Sequence, residues 1–123
     1  MEMKLELVIV PVSDVDRAKA FYVERIGFNA DQDHTVNPNL RFVQLTPPGS
    51  ACSIAIGRGL TDMAPGSMSG LQMVVKDVRA VYDELRRRGV EVTPVEVFPW
   101  GSFTFFSEPD GNKWSLQELP PRK

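Results

Sequence analysis

The sequence predicts an α+β fold made of two strand–helix–strand–strand–strand halves, and three observations carry that reading. The tetrapeptide Val12-Ser13-Asp14-Val15 returns as Val75-Lys76-Asp77-Val78, 63 residues further along a chain of 123. Each copy follows a short apolar run and precedes apolar residues at helical spacing that stop at a glycine. Each half then closes on a proline- and glycine-containing turn between two strand-like segments, Thr46-Pro47-Pro48-Gly49-Ser50 and Glu108-Pro109-Asp110-Gly111-Asn112.

The apolar run from Leu7 to Val12 is the first strand. Val15, Ala18, Tyr22 and Ile26 then share one helical face, with Ser13 or Asp14 as N-cap and Gly27 as stop. Three strands follow at 28–33, 41–45 and 52–57. A stretch at 58–69 containing Gly59, Pro65, Gly66 and Ser67 reads as the link between halves. In the second half, an opening strand leads to a helix through Val78, Val81, Tyr82 and Leu85, capped by Asp77 and ended at Gly89. Strands are expected at 90–98, 102–106 and 113–118. Half a chain of this size buries too little surface to stand alone, so residues 1–123 are expected to form one domain. Its modules are expected at about 1–58 and 70–119, joined by a linker at about 59–69.

Composition excludes several classes of function. Lys and Arg number 14 against 16 Asp and Glu, a formal charge of −2, which argues against tracking nucleic-acid phosphates. The one basic run, Arg86-Arg87-Arg88, falls where a helix ends and complements the helix dipole. A single cysteine, Cys52, permits no intrachain disulfide, and no apolar run is long enough for a membrane span or has the form of a signal peptide. A cytoplasmic protein is expected.

Two motifs then carry a resemblance that extends over almost the whole chain. The Val-x-Asp-Val segment leads into Phe21-Tyr22-Val23-Glu24-Arg25-Ile26-Gly27-Phe28, and Glu108-Pro109-Asp110-Gly111-Asn112 precedes the last strand. In this order and spacing the chain resembles the vicinal oxygen chelate superfamily of glyoxalases, bleomycin resistance proteins and extradiol dioxygenases. The resemblance implies two βαβββ modules paired edge-to-edge, with sheets curled around a concave cleft and helices outside. It also implies a divalent metal held from the first and last strands of both modules. Carried over residue by residue, the ligand positions fall on Leu7, Ala55, Gly70 (or Leu71 if the register slips by one) and Ser115. None is an imidazole, thiolate or carboxylate, the groups that hold transition metals. The remaining donors are sparse: His34 follows Asp31-Gln32-Asp33 in what reads as a solvent-facing loop, and Cys52 opens a strand. No metal and no cofactor are therefore expected, and standard glyoxalase or dioxygenase activity is disfavoured.

With the former ligand positions taken to face the cleft, strand alternation selects its lining. Leu7, Ile9 and Pro11 come from the first strand, and Ser53, Ala55 and Gly57 from the fourth. Gly70, Gln72 and Val74, then Lys113, Ser115 and Gln117, come from the second module, with Phe42, Gln44, Phe98, Trp100, Phe103 and Phe105 beside them. Phe103, Phe105, Phe106 and Trp114 also suit core packing, whereas Trp100, between Pro99 and Gly101, reads equally as a stacking platform. No phosphate loop or nucleophile pair is recognisable, and no catalytic residue is assigned. The leading expectation is a metal-independent binder of a small, partly aromatic molecule such as an antibiotic, and the resemblance implies a homodimer. Two alternatives stand beside it: a metal-dependent lyase, isomerase or dioxygenase with non-standard ligands, and a non-catalytic interaction domain.

Overall fold

A computed structural model describes residues 1–121. The described residues divide into two compact units, one of Met1–Ser67 with Glu108–Asn112, the other of Met68–Ser107 with residues 113–121. Each contributes one βαβββ module, so the architecture is α+β.

In the first unit the strands are β1 (Leu7–Ile9), β2 (Asn29–Asn37), β3 (Leu40–Thr46) and β4 (Ser53–Arg58). They form a mixed sheet of order β1-β4-β3-β2, with β1 parallel to β4 and the other pairs antiparallel. Helix α1 (Val15–Ala20) starts where Asp14 accepts the Arg17 backbone N–H at 3.0 Å, one of the donors a helix start leaves without a partner. It packs over β4, and Val43 and Leu45 of β3 with Ile54 and Ile56 of β4 are buried on one face of the sheet, as are Val15, Ala18 and Tyr22 of the helical segment. Each buried Val, Leu or Ile among them stabilises the unit by roughly 1.5–3 kcal/mol.

The expected single helix through Ile26 is instead α-helical to Ala20 and π-helical over Phe21–Ile26. The wider turn ends with the Gly27 and Phe28 N–H groups both donating to the Tyr22 carbonyl, and Gly27 holds φ +99° to allow it. Tyr22 is thereby fully buried and stacked on Phe28, ring centroids 5.3 Å apart. A second correction concerns β2, which runs on to Asn37. His34 is in that strand, opposite Phe42, rather than in a loop beyond it. Every residue of β2 is exposed because it is the sheet edge, and the polar side chains that suggested a loop are the usual dress of an edge strand.

The turn Glu108–Asn112 is tied to the segment after β1. Ser13 donates its N–H and hydroxyl to Asp110 at 2.9 and 2.6 Å, and the Asn112 amide donates to the Pro11 carbonyl at 2.7 Å. Gly66 also donates to Pro11, and at φ +80° a Cβ there would lie 2.0 Å from the Asp110 carbonyl oxygen, so only glycine fits.

In the second unit β5 (Leu71–Val74), β6 (Glu96–Phe98), β7 (Gly101–Ser107) and β8 (Lys113–Glu118) form a sheet of order β5-β8-β7-β6, with β5 parallel to β8. Helix α2 (Val78–Arg87) is capped twice, by Asp77 accepting from the Ala80 N–H and by Glu118 accepting from the Val78 N–H. It covers β7 and β8, where Phe106 and Trp114 are buried and stacked at 6.0 Å. The strand expected over 90–98 contracts to Glu96–Phe98. Pro94 removes a ladder N–H, and only Thr93 still reaches β7, exchanging hydrogen bonds with Thr104 and Phe105. No helix among the described residues is long and apolar enough to cross a membrane.

Candidate functional site

Each sheet has a face turned away from its helix, and the strand residues expected to line a ligand cleft fall on these two faces, whereas Pro11, Gly70 and Trp100 lie outside the strands. In the second unit, pairing puts Gln72 opposite Ser115, Val74 and Phe103 opposite Gln117, and Phe105 opposite Ser115. Trp100 stands in the two-residue turn between β6 and β7, with Phe98 paired to Gly101. Four rings form a ladder: Trp100 on Phe98 with centroids 5.2 Å apart and planes 11° off parallel, Phe98 edge-on to Phe103 at 5.9 Å, and Phe103 on Phe105 at 6.1 Å. Phe103 is only 6% exposed and anchors the ladder, Phe105 beyond it is 39% exposed, and Trp100 at the turn is the barest ring at 62%. Beside it lie three polar side chains joined to one another. Ser115 donates to Gln72 at 3.0 Å, Gln72 to Gln117 at 2.7 Å, and Gln117 to the Trp100 carbonyl at 2.9 Å. Lys113, opposite Ser107, lies exposed at the far end of the same face.

In the first unit Leu7 pairs with Ser53, Ile9 and Gln44 with Ala55, and Phe42 with Gly57. Ala55 and Ser53 are buried, and Leu7, Ile9, Phe42 and Gln44 are half-buried. A hydrogen-bonded line crosses three strands here. His34 meets Gln32 at 3.1 Å, Gln32 donates to Gln44 at 3.0 Å, Gln44 donates to Ser53 at 3.2 Å, Ser53 meets Thr46 at 2.6 Å, and Thr46 donates to Asp31. The register shift between Ala30 and Gln32 is a bulge at Asp31, and it is what turns that carboxylate toward Thr46.

Asp31, Gln32 and Thr46 are not among the residues that strand alternation selects, and His34 falls outside the expected second strand, which ends at residue 33 where β2 runs on to Asn37. Phe105, which on sequence alone suits both cleft and core, is 39% exposed and shares its face with Phe103, while Phe106 points the other way. Strict alternation through Phe103, Phe105 and Phe106 was the signal available for that distinction.

Other charged groups belong to the scaffold. Arg41 donates two hydrogen bonds to Asp33 and one to Asp16, and Lys19 donates to Asp33 at 2.8 Å. Arg41 first, and then Lys19, hold the Asp33 carboxyl well below the usual carboxylate range. Glu108 is 2% exposed. Burial pushes its carboxyl up, although the Asn112 backbone and side-chain N–H groups both donate to Oε1.

A divalent metal fits poorly. The positions that would carry its ligands offer alkyl groups at Leu7 and Ala55, no side chain at Gly70, and at Ser115 a hydroxyl whose hydrogen is directed at Gln72. Among the described residues no group of three or more His, Cys, Asp or Glu could hold a metal ion.

Comparison with known proteins finds relatives along nearly the whole chain. TnmS3, an antibiotic binding protein from Streptomyces sp. CB03234, superposes with a TM-score of 0.89 and 37% identity over 97% of this chain and 98% of its own. A glyoxalase/bleomycin resistance protein/dioxygenase superfamily member from Sphaerobacter thermophilus DSM 20745 gives a TM-score of 0.85 and 34% identity over 95% of this chain and 98% of its own. The uncharacterized protein YetH of Bacillus subtilis (strain 168) is 26% identical over 120 residues, 96% of this chain and 100% of the relative. Residues 4–116 match the family model itself, and the chain belongs to the Glyoxalase/Bleomycin resistance protein/Dioxygenase superfamily.

Proposed function

We propose that this protein binds a small, partly aromatic molecule, without a metal, on the sheet face that carries Trp100, and that it sequesters an antibiotic or a compound of similar chemistry. The observation that carries the reading is the ring ladder ending in the bare Trp100, with the Gln72 and Gln117 amides beside it. Apolar walls with a few placed polar groups are what small-molecule sites consist of. An aromatic ligand laid on Trp100 would extend the ladder by one ring, and each stacked pair contributes about 0.5–1.5 kcal/mol beyond the area it buries. The similarity to TnmS3 supports the same reading. The protein is proposed to act in the cytoplasm as a homodimer.

The test is a thermal-shift screen of aromatic antibiotics, followed by titration of each hit against tryptophan fluorescence with and without EDTA. A ligand at a hundred times its Kd raises stability by about 2.7 kcal/mol, a readily measured shift. Trp100→Ala is expected to weaken binding at least about tenfold, the loss of roughly one stacked ring with its buried area. EDTA should change nothing, and light scattering should give the mass of a dimer. Failure of every compound to shift the transition, or full affinity in Trp100→Ala, would remove the proposal.

A further inference from the structure

The polar side chains beside Trp100 form a one-way chain whose direction is fixed by its last member. A backbone carbonyl only accepts, so the Gln117 amide must turn its Nε2 toward Trp100, 2.9 Å away. Its Oε1 then faces Gln72, which must donate, at 2.7 Å, and the Gln72 Oε1 is left to accept from the Ser115 hydroxyl at 3.0 Å. The Leu71 carbonyl also lies near that hydroxyl, but at 3.5 Å it competes poorly for the one hydrogen. Hydrogen bonds aligned in this way polarise one another.

The chain ends where the fold is least supported. Strand β6 has three residues, stands at the sheet edge and is exposed throughout, and the ring of Trp100 stacks on Phe98, itself 36% exposed. One stacked pair in water does little more than offset the entropy of ordering the residues that make it. A further tether therefore decides whether the turn is held or free. The backbone is shaped for that tether: at Gly101, φ +148°, a Cβ would sit 2.8 Å from the Glu118 carbonyl oxygen and 2.9 Å from the Gln117 Nε2. Glycine lets the turn approach β8 closely enough for the amide to reach Trp100.

We propose that Gln117 is the positioning residue of this platform, fixing the β6–β7 turn so that Trp100 stays on Phe98 with its other face open. The second hydrogen on each of the Gln72 and Gln117 amide nitrogens then favours a flat aromatic ligand bearing an acceptor oxygen, a carboxylate or carbonyl, over a bare ring. The ligand half of this inference rests on the function proposed above, and the positioning half does not.

Gln117→Glu keeps the shape and removes the donor, and Gln117→Leu removes both. Protein labelled with 5-fluorotryptophan gives two fluorine resonances, assigned by Trp100→Phe, and the buried Trp114 serves as internal control. In Gln117→Glu the Trp100 resonance should move toward the solvent-exposed value while that of Trp114 stays in place. Affinity for 2-naphthoate should fall about five- to tenfold, the equivalent of one hydrogen bond, and the unaltered protein should prefer 2-naphthoate to 2-methylnaphthalene. An unmoved Trp100 resonance in both variants, or equal movement of both resonances, would overturn Gln117 as a positioning residue whether or not any ligand binds. If the unaltered protein gives the expected fluorine result but binds 2-naphthoate no better than 2-methylnaphthalene, the ligand class is overturned and the tether stands.

Discussion

Replacing Asn112 with alanine should cost about 3 kcal/mol, and the reason lies in what its amide joins. The side chain is fully buried, and its Nδ2 donates at 2.7 Å to the Pro11 carbonyl and at 2.9 Å to Glu108 Oε1. Alanine keeps the backbone N–H that also reaches Oε1, and Gly66 still donates to Pro11, so neither acceptor is left bare. The two hydrogen bonds from Nδ2 are lost, one to a neutral carbonyl at about 1 kcal/mol and one to a carboxyl group at about 1.5–3 kcal/mol. For a chain of this length, a loss of about 3 kcal/mol lowers Tm by roughly 10 °C. Urea unfolding at constant m value measures it directly. Asn112→Asp supplies the sharper comparison, since it preserves volume but places a second carboxyl against Glu108 and a carbonyl, and it should be worse than alanine. A loss under 1 kcal/mol for alanine, or an aspartate variant as stable as the parent, would refute the account.

Two further predictions concern pH. Glu108 is displaced upward, chiefly by burial with a smaller push from Asp110, so the folded chain holds this proton to higher pH than the unfolded chain does. Its stabilising contribution is complete below the ordinary carboxylate range and fades as pH rises through the folded value, by about 1.4 kcal/mol per unit of displacement. Thermal melts of Glu108→Gln should therefore fall less steeply than those of the parent between pH 4.5 and 8, and parallel curves would sink the idea. Asp33 has the opposite sign: lowered by Arg41 and Lys19, it stabilises above its ordinary range and loses that contribution as pH falls. Arg41→Met should cost about 1–2 kcal/mol at pH 7, allowing for partial solvent screening, and the difference from the parent should shrink under acid. A constant difference down to pH 2 would contradict it.

Much of the fold was legible because the repeated Val-x-Asp-Val segment states a local mechanism twice. Asp14 and Asp77 each cap a helix three residues ahead of the N–H they accept, and Gly27 ends its helix in the left-handed region. What escaped reading has a physical pattern of its own. An edge strand exposed on both faces carries no apolar alternation, so the pattern of β2 fades before His34 and that residue reads as loop. Val90 and Val92 looked like strand residues, yet the Val90 N–H closes the helix on Leu85, and Pro94 keeps the segment out of the ladder. The π-helical turn left no trace because six residues are too few to separate its period from that of an α-helix. Alternation did put Leu7, Ile9, Ser53 and Ala55 on one face, as the pairing has them, but hydrogen bonds between side chains on adjacent strands depend on a bulge and a register that no single-strand pattern reports.

The two open faces differ in a way that decides which is easier to cover. Both carry a directed line of hydrogen bonds, and both lines use amides and hydroxyls that satisfy one another. In the first unit the line ends on Asp31, an exposed carboxylate, and begins at His34, so an apolar ring laid over its ends would strip water from a charge. In the second unit it begins at the Ser115 hydroxyl and ends on the Trp100 carbonyl, and every member is neutral. Histidine and carboxylate ligands at the same positions would each demand compensation when buried. Amides already paired to one another demand little more than a partner for one remaining hydrogen. A flat ring therefore loses least on the Trp100 face, and an acceptor oxygen on its edge recovers part of what remains.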